Sequence, residues 1–384
     1  MIKRHQHFIE ILKSLVSIST VSSNNLKYDC SNKKCVEVIA NYLYDLNFEI
    51  DITKIPNSNE KFNLLACTKN HQIKSEGGLL LSGHTDTVPC DEFLWNYNPF
   101  KLIKKNNKLY GLGTTDMKGF FACIISLITI MNLKNIKKPL YILATADEET
   151  SMQGVKYFSQ NTCIKPELSI IGEPTNLQIV QSHKGYICKK IQITTLSAHS
   201  SNPDQEKNSI EIMYEVIGVL MCFKNFLKKN LDLNFKVPYS TMNFGCIQGG
   251  DAPNKICASC ILELDIRFIS SFSIKKINFL LKKSLILVEK KWNIKIKLKD
   301  IYDGIPYYQF KNYDLLKKVK NTISKKSIFE DYCTEAPFLN SIFPTIILGP
   351  GCIKQAHQVN EFIDMKYIIP THTIFSSLIH KFCF

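Results

Sequence analysis

Leu140-Tyr141-Ile142-Leu143-Ala144-Thr145-Ala146-Asp147-Glu148-Glu149-Thr150 is a largely apolar run followed by three consecutive acids and a threonine. An unbroken apolar run of this length reads as a strand buried on both faces, the pattern of a mainly parallel sheet covered by helices. Leu79-Leu80-Leu81 and Leu168-Ser169-Ile170-Ile171 repeat it, each closing in polar or glycine residues. Helical periodicity over His7 to Ile18 and Lys33 to Leu46 alternates with such strands, so the chain up to about residue 180 reads as an α/β domain. Each strand delivers its polar residues at its C-terminal end, where open α/β sheets place their ligands.

Beyond residue 182 the pattern changes. Alternating strands surround two helical stretches, Asn208 to Lys229 and Ser273 to Lys290, which predicts a smaller α+β unit over 183–290 inserted into the first domain. From 291 to 384 the α/β character returns, with a helix near Tyr313 to Ser324 and the strand Thr345-Ile346-Ile347-Leu348. The predicted fold is therefore a mixed, mainly parallel sheet flanked by helices, formed by 1–182 and 291–384, with the inserted unit between them.

Composition excludes several classes of function. A chain of 384 residues with 45% hydrophobic content can bury a large core and suits two or three domains. The net charge of +14 raises nucleic-acid binding, but the lysines are spread along the chain and the arginines are only Arg4 and Arg267, so no nucleic-acid partner is expected. The longest largely apolar run, Phe120 to Met131, falls short of the ~20 residues a bilayer demands and reads as a buried helix. The N-terminus lacks the apolar stretch and cleavage site of a signal peptide, so a cytoplasmic, membrane-free protein is expected. Fourteen scattered cysteines read as reduced thiols. Cys257 and Cys260 have redox-type spacing but lie in a strand-like run, where core packing is the simpler role.

Five residues that follow strands or lie in loops, His84, Asp116, Glu149, Glu173 and His357, form a mixed nitrogen and oxygen donor set suited to zinc or a neighbouring divalent ion. In Gly83-His84-Thr85-Asp86, residues i and i+2 of an extended segment point the same way, so Asp86 is expected to hold the far ring nitrogen of His84. Asp116 precedes the apolar helix and could equally serve as its N-cap. Adjacent Glu148 and Glu149 repel each other, a cost that a metal holding one of them offsets while the other acts on water; the competing reading is a pair of acids favoured at a helix start. A late histidine such as His357 is often structural, but it supplies the second nitrogen that the set otherwise lacks.

With these motifs the chain resembles the dinuclear-zinc aminoacylase and carboxypeptidase G2-like superfamily, and within it the acetylornithine deacetylase family. The likeness runs through Ser82 to Pro89, Tyr110 to Gly113, Asp116 to Ala122, Ala144 to Ser151, Gly172 to Thr175 and Tyr332 to Phe338, in that order. The resemblance implies two zinc ions per subunit, with cobalt an alternative. Asp116 bridges them, His84 and Glu173 hold one, and Glu149 and His357 hold the other. It also implies that 183–290 is a lid and dimerisation domain of a homodimer. Some relatives place a second Asp after the bridging residue, at a cis peptide, where this chain has Met117.

The resemblance further implies amide hydrolysis of a small acylated amino acid, N2-acetyl-L-ornithine, with Glu148 as general base. His199 in Ser197-Ala198-His199-Ser200 would stabilise the oxyanion, although it could be a surface loop histidine. Asn254 and Arg267 are similar to substrate-recognising residues, with Lys184 a weaker candidate. Arg267 suits bidentate carboxylate binding, a salt bridge to Glu263 or Asp265 being the alternative. Glu335 is assigned to the substrate's terminal ammonium. The rivals are a desuccinylase of succinyl-diaminopimelate, a dipeptidase, or a noncatalytic zinc-binding protein, and only the enzymes require a base beside the ligands.

Overall fold

The computed structural model describes residues 2–69 and 76–384. The chain forms two compact units, the first comprising Met1–Gln181, Phe310–Ile328 and Thr334–Phe384, the second Ser182–Gln309 and Phe329–Cys333.

In chain order the elements are α1 (Ile2–Val16), α2 (Lys33–Asp45), β1 (Phe48–Lys54), β2 (Phe62–Thr68), β3 (Leu79–His84), β4 (Ile103–Lys105), β5 (Lys108–Tyr110), α3 (Lys118–Ile130), β6 (Leu140–Thr145), α4 (Gln153–Asn161), β7 (Leu168–Ile171), β8 (Ile179–His183), β9 (Gly185–Thr194), α5 (Ser209–Leu227), β10 (Thr241–Gly249), β11 (Ser259–Phe268) and α6 (Ile274–Trp292). They continue with β12 (Lys297–Asp300), β13 (Tyr308–Gln309), α7 (Tyr313–Ile323), β14 (Ser327–Glu330), α8 (Ala336–Asn340), β15 (Thr345–Ile347), β16 (Phe362–Asp364) and α9 (Ile368–Cys383).

The first unit is built on a mixed sheet in the order β1-β2-β6-β3-β7-β15-β8. Its centre, β6-β3-β7-β15, is parallel, while β1, β2 and β8 pair antiparallel at the flanks. Every residue of β3, β6 and β7 is buried, as expected of strands covered on both faces. Parallel register sets Leu79 beside Leu140 and His84 beside Thr145, so the central strands end along one edge. Helix α3 is buried from Lys118 to Ile128 and packs on α1 and α9. A hydrophobic helix with no polar face needs such enclosure. A small antiparallel sheet, β16-β5-β4, sets Phe362 opposite Tyr110.

The second unit is an antiparallel sheet in the order β10-β11-β9-β12, with α5 and α6. Burial alternates residue by residue along β9 and β11. The inward set, Ile187, Ile191, Leu262, Leu264 and Ile266, packs with Ile212, Val216, Leu220, Ile277 and Leu281 of the helices. Each such side chain contributes roughly 1.5–3 kcal/mol on burial. Asn208 Oδ1 accepts the N–H of Ile210 and Ser273 Oγ accepts that of Lys276, which fixes the starts of α5 and α6.

The inserted unit extends beyond the expected limit at residue 290. Strand β12 pairs with β9, Lys297 opposite Gln192, and so completes the second sheet, and the first unit resumes at Phe310. The sequence pattern near 291 marks a return to strand without showing which sheet that strand joins. None of the fourteen cysteines is joined in a disulfide, and Cys257 and Cys260 are buried. Among the described residues no helix is long and apolar enough to cross a membrane.

Candidate metal and catalytic site

The edge where β3, β6 and β7 end gathers the predicted ligands. His84 is the last residue of β3. Glu148 and Glu149 leave β6 in a turn closed at Asp147, whose carbonyl accepts the N–H groups of Met152 at 2.6 Å and Ser151 at 3.1 Å. Asp147 takes φ +59°, a left-handed conformation held here by that turn. Glu173 follows β7 through Gly172, where a Cβ would lie 2.2 Å from the Phe120 ring, so only glycine fits. Asp116 enters α3 across a cis peptide to Met117. His357, also left-handed at φ +59°, lies in the loop after β15.

The ligand atoms of His84, Asp116 and Glu173 lie within 4.8 Å of one another, as do those of Asp116, Glu149 and His357. His84 Nε2 is 3.0 Å from Asp116 Oδ1 and 3.9 Å from Glu173 Oε1. On the other side His357 Nε2 is 3.0 Å from Glu149 Oε2 and 3.5 Å from Asp116 Oδ2. The two oxygens of one carboxylate thus face two separate groups. Glu148 joins His84 and Glu149 in a third cluster of the same size limit.

Four carboxyls crowd this edge with only imidazoles to answer them. Burial, reinforced by neighbouring carboxylates, pushes Glu148 and Glu173 well above the usual carboxylate range and raises Glu149. Burial disfavours a charged His84, yet the hydrogen bond to Asp116 and the charge of Glu173 hold its pKa well above the ordinary value. The bond to Glu149 lifts His357 to about 9. Among the described residues, Asp116, Glu148, Glu149 and Glu173 form ion pairs with no lysine or arginine. This charge deficit, and donors that are all imidazole nitrogen or carboxylate oxygen, fit divalent cations.

The role expected of Asp86 is divided between two parts of the residue. Its backbone carbonyl, not its carboxylate, meets His84 Nδ1 at 3.0 Å, while the nearer carboxylate oxygen is 3.7 Å away, beyond hydrogen-bond length. The buried carboxylate instead accepts the backbone N–H groups of Glu148 at 3.2 Å and Glu149 at 3.1 Å. The i, i+2 rule places the side chain near the ring but does not show that backbone donors in the turn after β6 compete for it.

A second support carries no visible signal in the sequence. Buried Lys61 lies 2.7 Å from Asp29 Oδ1 and 3.1 Å from Asp147 Oδ1, and Ser22 Oγ donates to the same Asp147 oxygen at 2.7 Å. A lysine at the start of a strand ordinarily points to solvent. Here it clamps the turn that carries Glu148.

Glu335 is fully buried at the start of α8 and accepts a hydrogen bond from Thr145 Oγ1 at 2.9 Å. Burial pushes it up to about 7, and its Oε1 has no hydrogen-bond partner.

The second unit carries the other predicted residues. His199 is exposed, and its Nδ1 accepts the N–H of Ser201 at 3.2 Å. The Ser200 N–H donates to the carbonyl of Asn254 at 3.1 Å, so the loops bearing His199 and Asn254 lie side by side. The Arg267 guanidinium stands 4.9 Å from the Tyr186 ring centroid. Glu263 pairs with Lys190, and no carboxylate lies within ion-pair distance of Arg267 among the described residues. Lys184 differs from expectation. Its ammonium donates to the carbonyls of Val237 at 2.6 Å and Tyr239 at 2.9 Å and forms an ion pair with Asp331 at 3.0 Å, all within the second unit.

The chain has relatives of known sequence and of known structure. The chain is 48% identical to an acetylornithine deacetylase of Buchnera aphidicola subsp. Schizaphis graminum over 100% of both chains. It is 44% identical to one of Photorhabdus laumondii, covering 98% of this chain and 97% of that one. A metallo-carboxypeptidase of the M20 family from Sulfolobus solfataricus superposes with a TM-score of 0.76 at 17% identity, covering 99% of each chain, a likeness of fold. Residues 80–381 match the model of peptidase family M20/M25/M40. A match over most of the chain, full-length relatives at this identity, and histidines and acids gathered at one sheet edge lead to a single assignment: the chain belongs to peptidase family M20/M25/M40, a family of metal-dependent hydrolases.

Proposed function

We propose that the chain is an acetylornithine deacetylase, which hydrolyses N2-acetyl-L-ornithine to acetate and L-ornithine in arginine biosynthesis. The observation that carries the chemistry is the carboxylate of Asp116, flanked by His84 with Glu173 on one side and Glu149 with His357 on the other. The full-length relatives named acetylornithine deacetylase support the substrate. In this reading His84, Asp116, Glu149, Glu173 and His357 would hold two zinc ions, with Asp116 common to both sets and cobalt able to replace zinc. Bound in pairs, such cations acidify water to near neutrality and polarise a carbonyl.

The remaining steps fall to the side chains. Glu148 takes one proton of the attacking water and passes it to the nitrogen of the breaking amide bond, and the second proton of that water moves from the new carboxyl group to the freed amine, so that acetate and an ammonium leave. Its position beside His84 and Glu149, in a cluster separate from the two that share Asp116, suits a group that handles the proton of the water rather than a cation. His199 is assigned the oxyanion. With Nδ1 accepting from Ser201, the ring carries its proton on Nε2, ready to donate. Arg267 and Asn254 are assigned the substrate carboxylate, which matches a guanidinium fork with no carboxylate of its own. Glu335 is assigned the terminal ammonium, because an unsatisfied buried carboxylate oxygen is completed by a cation. Lys184 is left out, since its donors are committed.

The homodimer reading is supported by the second unit. Strand β10 ends its sheet, and Tyr214, Phe279 and Leu287 expose 78%, 65% and 66% of their surface on α5 and α6. Free cysteines throughout the chain support a reducing compartment such as the cytoplasm.

The test is one purified sample measured twice, for bound metal and for ornithine release from N2-acetyl-L-ornithine, succinyl-diaminopimelate and simple dipeptides. Two metal equivalents with preferential turnover of acetylornithine are expected. A metal-free active enzyme removes the mechanism, and preference for either other substrate removes the specificity.

A further inference from the structure

The loop that carries Asp116 is gripped by a buried acid from far along the chain. Glu361 is 2% exposed, and its carboxylate accepts three backbone N–H groups, from Gly113 at 2.8 Å, Thr115 at 2.7 Å and Asp116 at 3.0 Å. The backbone joins in. The carbonyl of Glu361 accepts the N–H of Gly111 at 3.0 Å, and Thr115 Oγ1 donates to the carbonyl of Phe362 at 2.6 Å. Gly113 takes φ +78°, where a Cβ would come 2.9 Å from Thr87, so a larger residue would disturb the turn that presents these N–H groups.

Glu361 follows His357 along the same strand-free segment, Ala356-His357-Gln358-Val359-Asn360-Glu361. One carboxylate therefore ties the segment bearing His357 to the loop bearing Asp116. Rotation of either loop alone would break hydrogen bonds to a buried acceptor, so the Glu361 carboxyl couples the two loops.

We propose that Glu361 is the positioning residue of the metal pair: by fixing the Asp116 loop against the His357 segment it sets the affinity for both cations at once. Glu361 belongs to none of the clusters of ligand atoms and acts through Asp116, the group common to the two that would hold the cations. The inference rests on the dinuclear reading above and adds a residue which that reading does not use.

Full-length chain freed of metal with a chelator is titrated with Zn²⁺ against a chromophoric competitor, and its melting temperature is measured with and without the ion. Wild type is expected to take up two equivalents. In Glu361→Gln one oxygen becomes an NH₂ facing N–H donors, and both equivalents should weaken by about 10–100-fold, the usual scale for groups that orient metal ligands. His357→Ala should weaken one equivalent and spare the other. Glu361→Asp keeps the charge on a shorter arm and should fall between wild type and Gln, giving a second reading should the Gln variant fail to fold. A merely structural Glu361 lowers the melting temperature equally with and without Zn²⁺ and leaves affinity unchanged, which overturns the proposal, as does wild-type affinity in both variants. Absence of two equivalents in wild type overturns the dinuclear reading instead.

Discussion

Asp86 Oδ2 lies 3.1 Å from the backbone nitrogen of Glu149 and accepts its hydrogen bond. The contact joins the end of β3 to the end of β6, two strands whose parallel register already sets His84 beside Thr145. It means that the residue touching the His84 ring through its carbonyl also fixes the turn bearing Glu148 and Glu149 through its side chain. The spacing between a ligand on one strand and the acids of the next is therefore set by one buried carboxylate.

Asp86→Asn should reduce kcat by about 10–100-fold, with a smaller change in KM. An amide offers one acceptor and turns its NH₂ toward a backbone donor, so either the Glu148 or the Glu149 bond is lost. Steady-state kinetics with matched metal content measures the effect. Unchanged kcat would show that the turn holds itself.

Glu148→Gln keeps the shape and removes the proton acceptor. Turnover should fall by roughly 10²–10⁴-fold while bound metal stays at the wild-type level. A Gln variant with near-normal turnover would assign the proton to another group.

Glu335→Gln should raise KM for N2-acetyl-L-ornithine by about 10–100-fold, the scale of a hydrogen bond to a charged group, and spare metal content. N-acetyl-norvaline, which has the same carbon chain and no terminal ammonium, supplies the control. Its kinetics should be indifferent to the substitution. Equal losses on both substrates would make Glu335 a scaffold for Thr145 rather than a specificity residue.

What could be read from the sequence followed from local pattern. The runs at Leu79, Leu140 and Leu168 became β3, β6 and β7 because a strand buried on both faces has no polar alternation to disguise it. The acids and histidines at their ends stood out for the same reason. Where long-range pairing decided the outcome, pattern was silent. Nothing local joins β12 to β9, so the inserted unit looked shorter than it is. Lys184 reads like a solvent-facing or substrate-facing cation, and only the fold brings the carbonyls of Val237 and Tyr239 to it. Lys61 and Glu361 carry no local signal, because a charged residue is legible as buried only when its partners, far away in the chain, are known.

Freed of metal, the chain should lose stability as pH rises from about 6.5 to about 9. His357 is held protonated up to about 9 by its bond to Glu149, against 6.5 for an ordinary histidine, so its contribution is complete below 6.5 and disappears as pH climbs through 9. Glu361 is pushed up to about 8 by burial and the charge of Asp116, and Glu335 to about 7 by burial. An acid whose folded pKa is raised also favours the fold only while protonated, so both work in the same direction. His183, lowered to about 4 by burial, opposes them only below 6.5, where its unfolded form takes up a proton. Lys118, depressed by burial, opposes them toward the alkaline end, one group against several. Zinc binds carboxylates and imidazoles in their deprotonated forms and so removes the proton preference of His84, His357, Glu149 and Glu173. Melting temperatures should therefore fall by at least ~2 °C across this window without metal, the scale of about 1 kcal/mol in a large domain, and should flatten or rise with it. A metal-free chain that gains stability between pH 6.5 and 9, or an identical slope with zinc present, would mean that these groups do not meet at a cation site.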